Sequence, residues 1–506
     1  MIFVFNFGGQ YAHLIARRVR DLGVKSELVQ PDITPIEIKK LKPQALIFSG
    51  SPYSCWGKNA PQVDKKIYDL GLPILGICYG HQLMAYQLRG KVSSHEKKQF
   101  GKETLTTQKS LLFSGLTSPQ TVWFSHGDQV DKLPPGFRVI GKTKNAKIAA
   151  YENSKKKFFA IQFHPEVTHT VNGMHILKNF LFKIANVKKD WNLREVKEEL
   201  LKSLRKEIGK EKVLMAVSGG VDSTVAATLI KAAAPKNLHL VFIDTGLLRN
   251  YDLQDLKSVA KIVKFTSLKI TDASSRFTKA LRGVVDPEEK RKVIAKLYFK
   301  ILEEEAEKIG KVKFLGQGTI YPDRVESAKT TKYAHKIKSH HNVTLPHGLK
   351  LQVIEPLKDL YKDEVRKLGA MLGIPKEFVD RHPFPGPGLS IRIVGEVTEE
   401  KLKILQEVDE IFISQLKASG IYNKVGQAIA ALLPVKSVGV MGDARTYSYI
   451  VSLRAVDTED FMTADWSKIP YDVLEKISSR IVNEVRGVNR VVYDITQKPP
   501  ATIEYE

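Results

Sequence analysis

Cysteine is scarce in this chain: its 506 residues include only two, Cys55 and Cys78. Two thiols can form neither the disulfide framework of a small secreted domain nor a four-cysteine metal site. We therefore expect neither feature, whereas a cysteine used for chemistry remains open.

Long hydrophobic runs are also missing. No stretch approaches the roughly 18 apolar residues that cross a membrane, and the first residues, MIFVFNFGG, lack the charged region and cleavage site of a signal peptide. The composition, 43% hydrophobic and 26% charged with no low-complexity tract, is typical of a globular protein. These features predict a cytoplasmic location and no membrane partner.

Acidic residues are outnumbered, because 55 Asp and Glu face 79 Lys and Arg and give a formal net charge of +24. Such an excess favours polyanionic ligands such as nucleic acids or phosphorylated small molecules. The lysines are, however, spread along the whole chain and interleaved with Glu and Asp. We therefore interpret most of them as a solvated surface and expect no nucleic-acid partner.

A chain of this length is too long for one hydrophobic core, and its pattern predicts three domains. Short apolar runs alternate with helix-like stretches over residues 1–187, which predicts an α/β domain with a largely parallel sheet. A new apolar strand at 212–217 opens a second parallel-sheet α/β domain, expected over 188–384. The Pro- and Gly-rich run HPFPGPGLS at 382–390 predicts a loop, and a C-terminal α+β domain is expected over 385–506.

The stretch GICYG places Cys78 between two glycines, after an apolar strand and before a helix-compatible segment. This is the cysteine form of the nucleophile elbow, whose tight turn needs small residues and projects the nucleophile outward. The N–H groups and dipole at the start of the next helix favour a thiolate. A buried structural cysteine is the alternative interpretation. His164, at the end of an apolar run, and Glu166 offer a base and a carboxylate that orients it.

The elbow and the later His-Pro-Glu together resemble the class I glutamine amidotransferases. The resemblance implies that Cys78 attacks the side-chain amide of glutamine, His164 carries the proton and Glu166 holds His164, with ammonia and glutamate as products. It also implies an oxyanion hole formed by N–H groups of Tyr79 and Ser51, where the family usually has glycine in place of the serine. Serine suits this role if the backbone there does not need positive φ. The glutamine-binding positions implied by the family are Gln82, Ser125, His126, Gly127 and Asp128.

The second motif is SGGVDS at 218–223, between an apolar strand and a helix-compatible segment. Small residues at the start of a helix let several backbone N–H groups converge on a phosphate, and the helix dipole favours the anion. No G-x-x-x-x-G-K-[ST] pattern occurs there, which disfavours a Walker-type NTPase. A generic Gly-rich turn is the other interpretation.

In its setting between strand and helix, SGGVDS resembles the PP-loop of the ATP pyrophosphatases, which split ATP into a substrate adenylate and pyrophosphate. The resemblance implies that the loop binds the pyrophosphate part of ATP together with Mg²⁺, which Asp222 would contact. The ATP-binding residues implied by the family are Ser218, Gly219, Gly220, Val221, Asp222 and Ser223.

A glutaminase joined to an ATP pyrophosphatase implies amination of a carbonyl group that is first activated as an adenylate. Further stretches, among them LGQGTIYPDRVES at 315–327 and VNRVVYDITQKPPATIEYE at 488–506, resemble the family of glutamine-hydrolysing GMP synthetases. The resemblance covers essentially the whole chain. It implies a carbon–nitrogen ligase of purine biosynthesis that adenylylates XMP with ATP and displaces AMP with ammonia to give GMP. It also implies a homodimer formed through the C-terminal domain.

The family positions that match the XMP site are Arg291, Gln427, Lys498, Ile503 and Glu504. The cations are expected at the monophosphate, and Glu504 at a base edge or the ribose. Without the family, Arg291 and Lys498 would be interpreted as solvated surface charges and the last residues as a frayed tail. KSHHN at 338–342 resembles the lid motif of the family, although the chain continues NVTLPHGLK where members commonly have NVGGLP.

Two other classes of protein fit parts of this pattern. An RNA-modifying PP-loop enzyme would suit the basic charge. It is expected to carry a second catalytic cysteine pair or an added RNA-binding domain, and the sequence shows neither. A regulatory, non-catalytic homologue is expected to lose Cys78 or Asp222, and both are present.

Overall fold

The computed structural model describes residues 1–323, 342–344, 350–441, 444–458, 464–498 and 500–506. The chain divides into two compact units, Met1–Glu195 and Val196–Glu506. The resemblance to a lid at 338–342 falls outside the described residues except for Asn342.

Nine strands form one sheet in the first unit, in the order β2-β1-β3-β4-β9-β8-β7-β5-β6. The strands are β1 (Ile2–Phe5), β2 (Ser26–Val29), β3 (Ala45–Phe48), β4 (Ile74–Ile77), β5 (Lys91–Thr107), β6 (Gln120–Lys132), β7 (Arg138–Lys142), β8 (Ala150–Asn153) and β9 (Phe158–Ile161). The helices are α1 (Ala12–Asp21), α2 (Pro35–Leu41), a 3₁₀ turn (Lys65–Asp69), α3 (Tyr79–Gln87), α4 (Gly173–Lys178) with a π-helical turn (Asn179–Ile184), and the start of α5 (Leu193–Ile208).

The parallel half of this sheet positions the candidate site. β1, β3, β4 and β9 are four-residue apolar runs that are buried throughout, as expected for parallel strands covered on both faces. Because β3, β4 and β9 are neighbouring parallel strands, their carboxyl ends meet at one edge, where Ser49, Cys78 and His164 follow. The apolar run TVWFS at 121–125 instead lies in β6, which pairs antiparallel with β5. The parallel part is therefore smaller than expected.

The second unit contains two sheets in its described part, in the orders β12-β11-β10-β13-β15-β14 and β16-β17-β18, with β19 beside β17. The strands are β10 (Lys212–Ala216), β11 (Leu238–Asp244), β12 (Leu268–Asp272), β13 (Val312–Gly316), β14 (Asn342–Thr344), β15 (Lys350–Ile354), β16 (Gln427–Met441), β17 (Ala444–Asp457), β18 (Asp465–Trp466) and β19 (Val488–Tyr493). The helices are α6 (Val221–Ala233), α7 (Asp252–Ile262), α8 (Ser274–Leu281), α9 (Pro287–Ile309), α10 (Lys362–Met371), α11 (Lys376–Val379), α12 (Glu399–Ala418) and α13 (Tyr471–Glu484), with 3₁₀ turns at Gly388–Arg392 and Tyr422–Lys424.

The first of these sheets is parallel except for β14, and the second is mainly antiparallel. The α/β class with a C-terminal α+β region is therefore confirmed. No helix in the described ranges combines the length and the apolar character that a bilayer crossing requires.

One hydrophobic core joins the two sheets of the second unit. It contains Leu214 of β10, Leu389 of the Pro-rich run, Leu405 of α12 and Leu453 of β17, each at most 1% exposed. Apolar packing thus continues across residue 384, which explains why the chain forms two compact units. The predicted domain boundaries after residues 187 and 384 stay predictions.

Candidate functional site

Cys78 occupies the turn between β4 and α3. Its backbone has φ 55° and ψ −104°, a positive φ that few non-glycine residues adopt and that stores strain at functional turns. The flanking glycines are needed for space. A Cβ on Gly76 would lie 2.6 Å from the Gly80 carbonyl oxygen, and one on Gly80 would lie 2.4 Å from the Phe48 carbonyl oxygen. The turn therefore has the geometry of a nucleophile elbow.

His164 and Glu166 form a buried pair, 3% and 1% exposed. The His164 Nδ1–H donates to Glu166 Oε1 at 2.6 Å. The Arg18 Nε–H donates to the Glu166 carbonyl at 3.0 Å, and the Thr170 hydroxyl donates to the His164 carbonyl at 2.5 Å. These contacts fix the loop that follows β9 and with it the direction of the imidazole.

Burial disfavours the imidazolium and is the largest single influence on the pKa of His164. The negative charges of Glu166 and Cys78, with hydrogen bonding to both residues, together outweigh burial and raise that pKa. A protonated His164 stabilises negative charge beside it, and the thiolate is the nucleophilic form of cysteine. Gly50 packs against both His164 and Cys78. A Cβ on Gly50 would lie 3.4 Å from His164 Cε1 and 3.8 Å from Cys78 Cβ.

A cleft of about 570 Å³ opens over the elbow. The predicted residues that line it are Cys78, His164, Ser51, Gln82, Ser125, His126, Gly127 and Asp128. The structure thus brings the predicted glutamine-binding segment onto the elbow. The remaining member of the predicted oxyanion hole, Tyr79, begins α3 directly after Cys78.

The loop after β3 accommodates Ser51 without strain. Ser51 does not adopt positive φ. A serine at this oxyanion-hole position was expected to be suitable only if the backbone did not need positive φ, and this condition is met. Its hydroxyl donates to the Phe7 carbonyl at 2.8 Å and accepts from the Tyr53 N–H at 3.3 Å. Gly9 presses against the same loop, where a Cβ would lie 2.3 Å from the Gly50 carbonyl oxygen. The side chain of Ser51 therefore anchors the loop, and the oxyanion role of its backbone N–H stays a prediction.

Another part of the cleft lining is held together by the predicted glutamine-binding residues themselves. Gln82 Nε2 donates to the Asp128 carbonyl at 2.9 Å, and His126 Nδ1 lies 2.8 Å from the same oxygen. The Ser125 carbonyl oxygen lies 3.7 Å from Cys78 Sγ. Gln82 and His126 therefore both contact the backbone of Asp128 and hold that segment in place in the cleft lining.

The predicted PP-loop joins β10 to α6, a helix of 13 residues. Gly219 has φ 76°, which glycine adopts without a steric penalty. The Ser218 N–H donates to Ser223 Oγ at 3.2 Å, and the Gly220 N–H donates to Ser218 Oγ at 3.3 Å. Gly318 lies against the loop, since a Cβ on it would lie 2.9 Å from the Ser223 nitrogen. The result is a compact turn at a helix N-terminus, the geometry that binds phosphate.

Asp222 in this loop forms an ion pair with Lys362, the first residue of α10, through Oδ2. Its Oδ1 is buried and has no hydrogen-bond partner among the described residues. Burial first, and then the charge of Asp222, raise the pKa of Asp323. Within the same residues no group of three or more His, Cys, Asp and Glu could hold a metal ion. Mg²⁺ often uses one or two carboxylates plus substrate phosphates, so Oδ1 of Asp222 fits a partial site of that kind.

The C-terminal residues predicted for XMP are anchored. Gln427 Nε2 donates to Glu504 Oε1 at 2.9 Å. Ile503 is 7% exposed and packs in an apolar cluster with Ala464, which also pairs its backbone with Lys498. The interpretation of the last residues as a frayed tail is therefore wrong.

Arg291 is placed differently, on the exposed side of α9. Its side chain is 36% exposed, and Nη1 lies 2.6 Å from Glu288 Oε1. The ion pair of Arg291 is thus made within its own helix and not with the C-terminal segment.

Sequence reasoning missed Arg392, which is 1% exposed. Its Nε and Nη2 donate to the two carboxylate oxygens of Glu504 at 2.9 and 3.0 Å, and its Nη1 lies 3.4 Å from Asp409 Oδ1. The available signal was a lone arginine within the apolar stretch LSIRIV, directly after the Pro-rich run. Lys362 was also missed, because nothing near the PP-loop in sequence points to it.

These features define a class of protein: a triad-type glutamine amidotransferase joined in one chain to a PP-loop ATP pyrophosphatase. Family models match in the same order, with glutamine amidotransferase class-I at residues 3–184, NAD synthase at 193–312 and GMP synthase C terminal domain at 414–505.

The chain is also similar over its full length to curated glutamine-hydrolysing GMP synthases. It is 53% identical to that of Carboxydothermus hydrogenoformans, 51% to that of Aquifex aeolicus and 53% to that of Caldicellulosiruptor saccharolyticus. Each comparison covers 100% of this chain and 99% of the relative. The chain belongs to the glutamine-hydrolysing GMP synthase family, a family of ligases that use glutamine as amido donor. The function predicted from the sequence is confirmed at this level.

Proposed function

We propose that this chain converts XMP to GMP with ATP and glutamine, and that the predicted residues carry the steps. The C2 oxygen of XMP attacks the α-phosphorus of ATP and releases pyrophosphate. Ammonia then adds at C2, and AMP leaves with the oxygen. The observation that carries the proposal is the joint presence of the Cys78 elbow and the Asp222 loop in a chain that matches GMP synthases from end to end.

In the glutaminase step, Cys78 Sγ forms a bond to the side-chain carbonyl carbon of glutamine. The N–H groups of Tyr79 and Ser51 stabilise the oxygen that becomes negative. Protonated His164, held by Glu166, gives a proton to the departing nitrogen, which leaves as ammonia. Water then cleaves the thioester and releases glutamate, with His164 taking the proton from that water.

In the ATP step, backbone N–H groups of residues 218–223 meet the phosphates at the start of α6. Mg²⁺, held by Oδ1 of Asp222 and the phosphates, would neutralise charge on the departing pyrophosphate. Lys362 is paired with Asp222 and lies at the loop. Because a phosphate anion competes for an ammonium group, we expect Lys362 to contact the phosphates as well.

The part of the site that would bind XMP involves Gln427, Glu504 and Arg392. Arg392 donates two hydrogen bonds to the side chain of Glu504, and Gln427 donates a third. A carboxylate accepts up to four hydrogen bonds, so Glu504 keeps capacity for donors of the nucleotide, while Arg291 and Lys498 supply positive charge for its monophosphate.

The homodimer predicted for the family is proposed to form on the β16–β17 hairpin. Val438 and Tyr447 face each other across the two strands and are 58% and 67% exposed, and Val440 is 73% exposed. A row of exposed apolar side chains on a sheet favours association.

We propose a cytoplasmic homodimer and expect Val438→Glu to yield monomers in sedimentation velocity. Tyr471→Glu, 90% exposed on α13, serves as control, and a dimeric Val438→Glu protein would count against this interface.

The deciding assay supplies purified protein with XMP, ATP and Mg²⁺, and with either glutamine or ammonium as nitrogen source. We expect GMP with both sources. Cys78→Ala should abolish the reaction with glutamine and leave the reaction with ammonium. Absence of GMP from both sources would overturn the proposed function, and full activity of Cys78→Ala with glutamine would overturn the role of the elbow.

A further inference from the structure

Lys290 on α9 is a fully buried cation, with 0% of its surface exposed. Its ammonium group donates to the Ser390 carbonyl at 3.2 Å and to the Ile393 carbonyl at 2.8 Å, and it forms an ion pair with Glu506. Its partner is thus the last residue of the chain, 216 positions later.

Glu506 makes two further hydrogen bonds beside this ion pair. The Gly395 N–H donates to its Oε1 at 2.9 Å, and its own backbone N–H donates to the Ile391 carbonyl at 3.2 Å. Its side chain is 7% exposed. A buried ion pair contributes little net stability compared with apolar residues of similar volume, so stability alone does not account for placing two charges here.

The location of the pair suggests another use. Arg291, predicted at the XMP monophosphate, is the residue next to Lys290 on α9, and Glu504 lies two residues before Glu506. Both members of the pair contact the segment from Ser390 to Gly395, and Arg392 in that segment holds Glu504. The ion pair therefore ties together the chain segments that carry Arg291, Arg392 and Glu504.

We propose that Lys290 and Glu506 are positioning residues, which lock the C-terminal segment 503–506 onto α9 and so set the spacing of the groups that bind the nucleotide substrate. This inference rests on the proposed use of XMP. Neither residue touches the reacting atoms. Their effect passes through Arg291 and Glu504, whose separation depends on where the chain end is fixed.

The test uses the full chain with ammonium as nitrogen source. Three variants loosen the pair: Glu506→Gln, deletion of Glu506, and the double variant Lys290→Met with Glu506→Leu. Lys292→Met is the matched control, because Lys292 lies on the same helix and pairs with Glu289 at the surface, its side chain 69% exposed. We expect the KM for XMP to rise about tenfold or more in the three variants, since displacements near 1 Å disturb a binding site strongly. The KM for ATP should change less than twofold.

A merely structural pair gives a different pattern. The double variant replaces two buried charges by apolar groups and is expected to recover thermal stability, so a purely structural role predicts a recovered KM for XMP as well. An unchanged KM for XMP in the deletion variant, or an equal rise in the control, would overturn the inference. If the wild-type protein makes no GMP from XMP and ammonium, the proposed function fails instead, which distinguishes the two failures.

Discussion

Gly173→Ala is expected to disable the glutaminase although Gly173 carries no chemistry. Gly173 begins α4, and a Cβ built on it would lie 1.8 Å from the Pro165 carbonyl oxygen, 2.7 Å from the Pro165 carbonyl carbon and 3.0 Å from its Cα. All three are backbone atoms, so no side chain can swing aside. Because an ordinary carbon–oxygen contact is about 3.3 Å, the two segments must separate by roughly 1.5 Å.

Pro165 stands between His164 and Glu166, so this displacement acts directly on the base and its carboxylate. A shift of about 1 Å at reacting groups can lower the rate about 100-fold, and overpacking costs about 1–3 kcal/mol of stability. We expect the glutamine-dependent kcat/KM of Gly173→Ala to fall about 100-fold, with a lower unfolding temperature and an intact ammonium-dependent rate.

The assay compares GMP formation from glutamine and from ammonium in the same preparation. Gly71→Asn serves as control, because Gly71 has φ 71° with no atom within 4 Å of a built Cβ, a conformation that asparagine tolerates. Wild-type glutamine-dependent activity in Gly173→Ala would refute the idea that this contact sets the geometry of His164 and Glu166.

Three further predictions follow from single contacts. Glu166→Gln removes the charge that raises the pKa of His164 and should lower the glutamine-dependent kcat about 10³-fold or more, while an unchanged rate would argue against the triad. Lys362→Met leaves Asp222 without its ion-pair partner and should raise the KM for ATP several-fold, with the KM for glutamine as the internal control. Burial first, and then the charge of His126, lower the pKa of His81 from 6.5 to about 3. His81 therefore contributes stability that is complete above pH 6.5 and is lost as the pH falls toward 3. The loss is about 2 kcal/mol at pH 5, and His81→Phe should show less acid destabilisation in urea unfolding.

Local features of the candidate site could be predicted from the sequence because neighbouring residues suffice to build them. The elbow at Cys78 and the loop at 218–223 are each formed by a strand, a turn of small residues and a helix, and both turns have the expected form. The buried parallel strands were likewise predictable, since a short apolar run bounded by Gly or Pro has few other stable uses.

Contacts between distant residues could not be predicted in the same way. Arg392 holding Glu504, Lys362 on Asp222 and Lys290 on Glu506 join residues separated by more than 100 positions. No local pattern marks such pairs, because a charged residue in sequence looks the same whether it faces solvent or a buried partner. The number of compact units was also decided by packing, since the shared core across residue 384 depends on which apolar faces meet.

The sequence by itself determined the fold class, the elbow at Cys78, the turn at 218–223 and the family, because these depend on residue types at short, fixed spacings. Only the tertiary structure decided that Ser51 avoids positive φ, that Gly173 must be glycine and that the chain end is locked onto α9. The physical reason is that steric fit and the pairing of buried charges depend on the distance between chain segments, which only the folded chain sets.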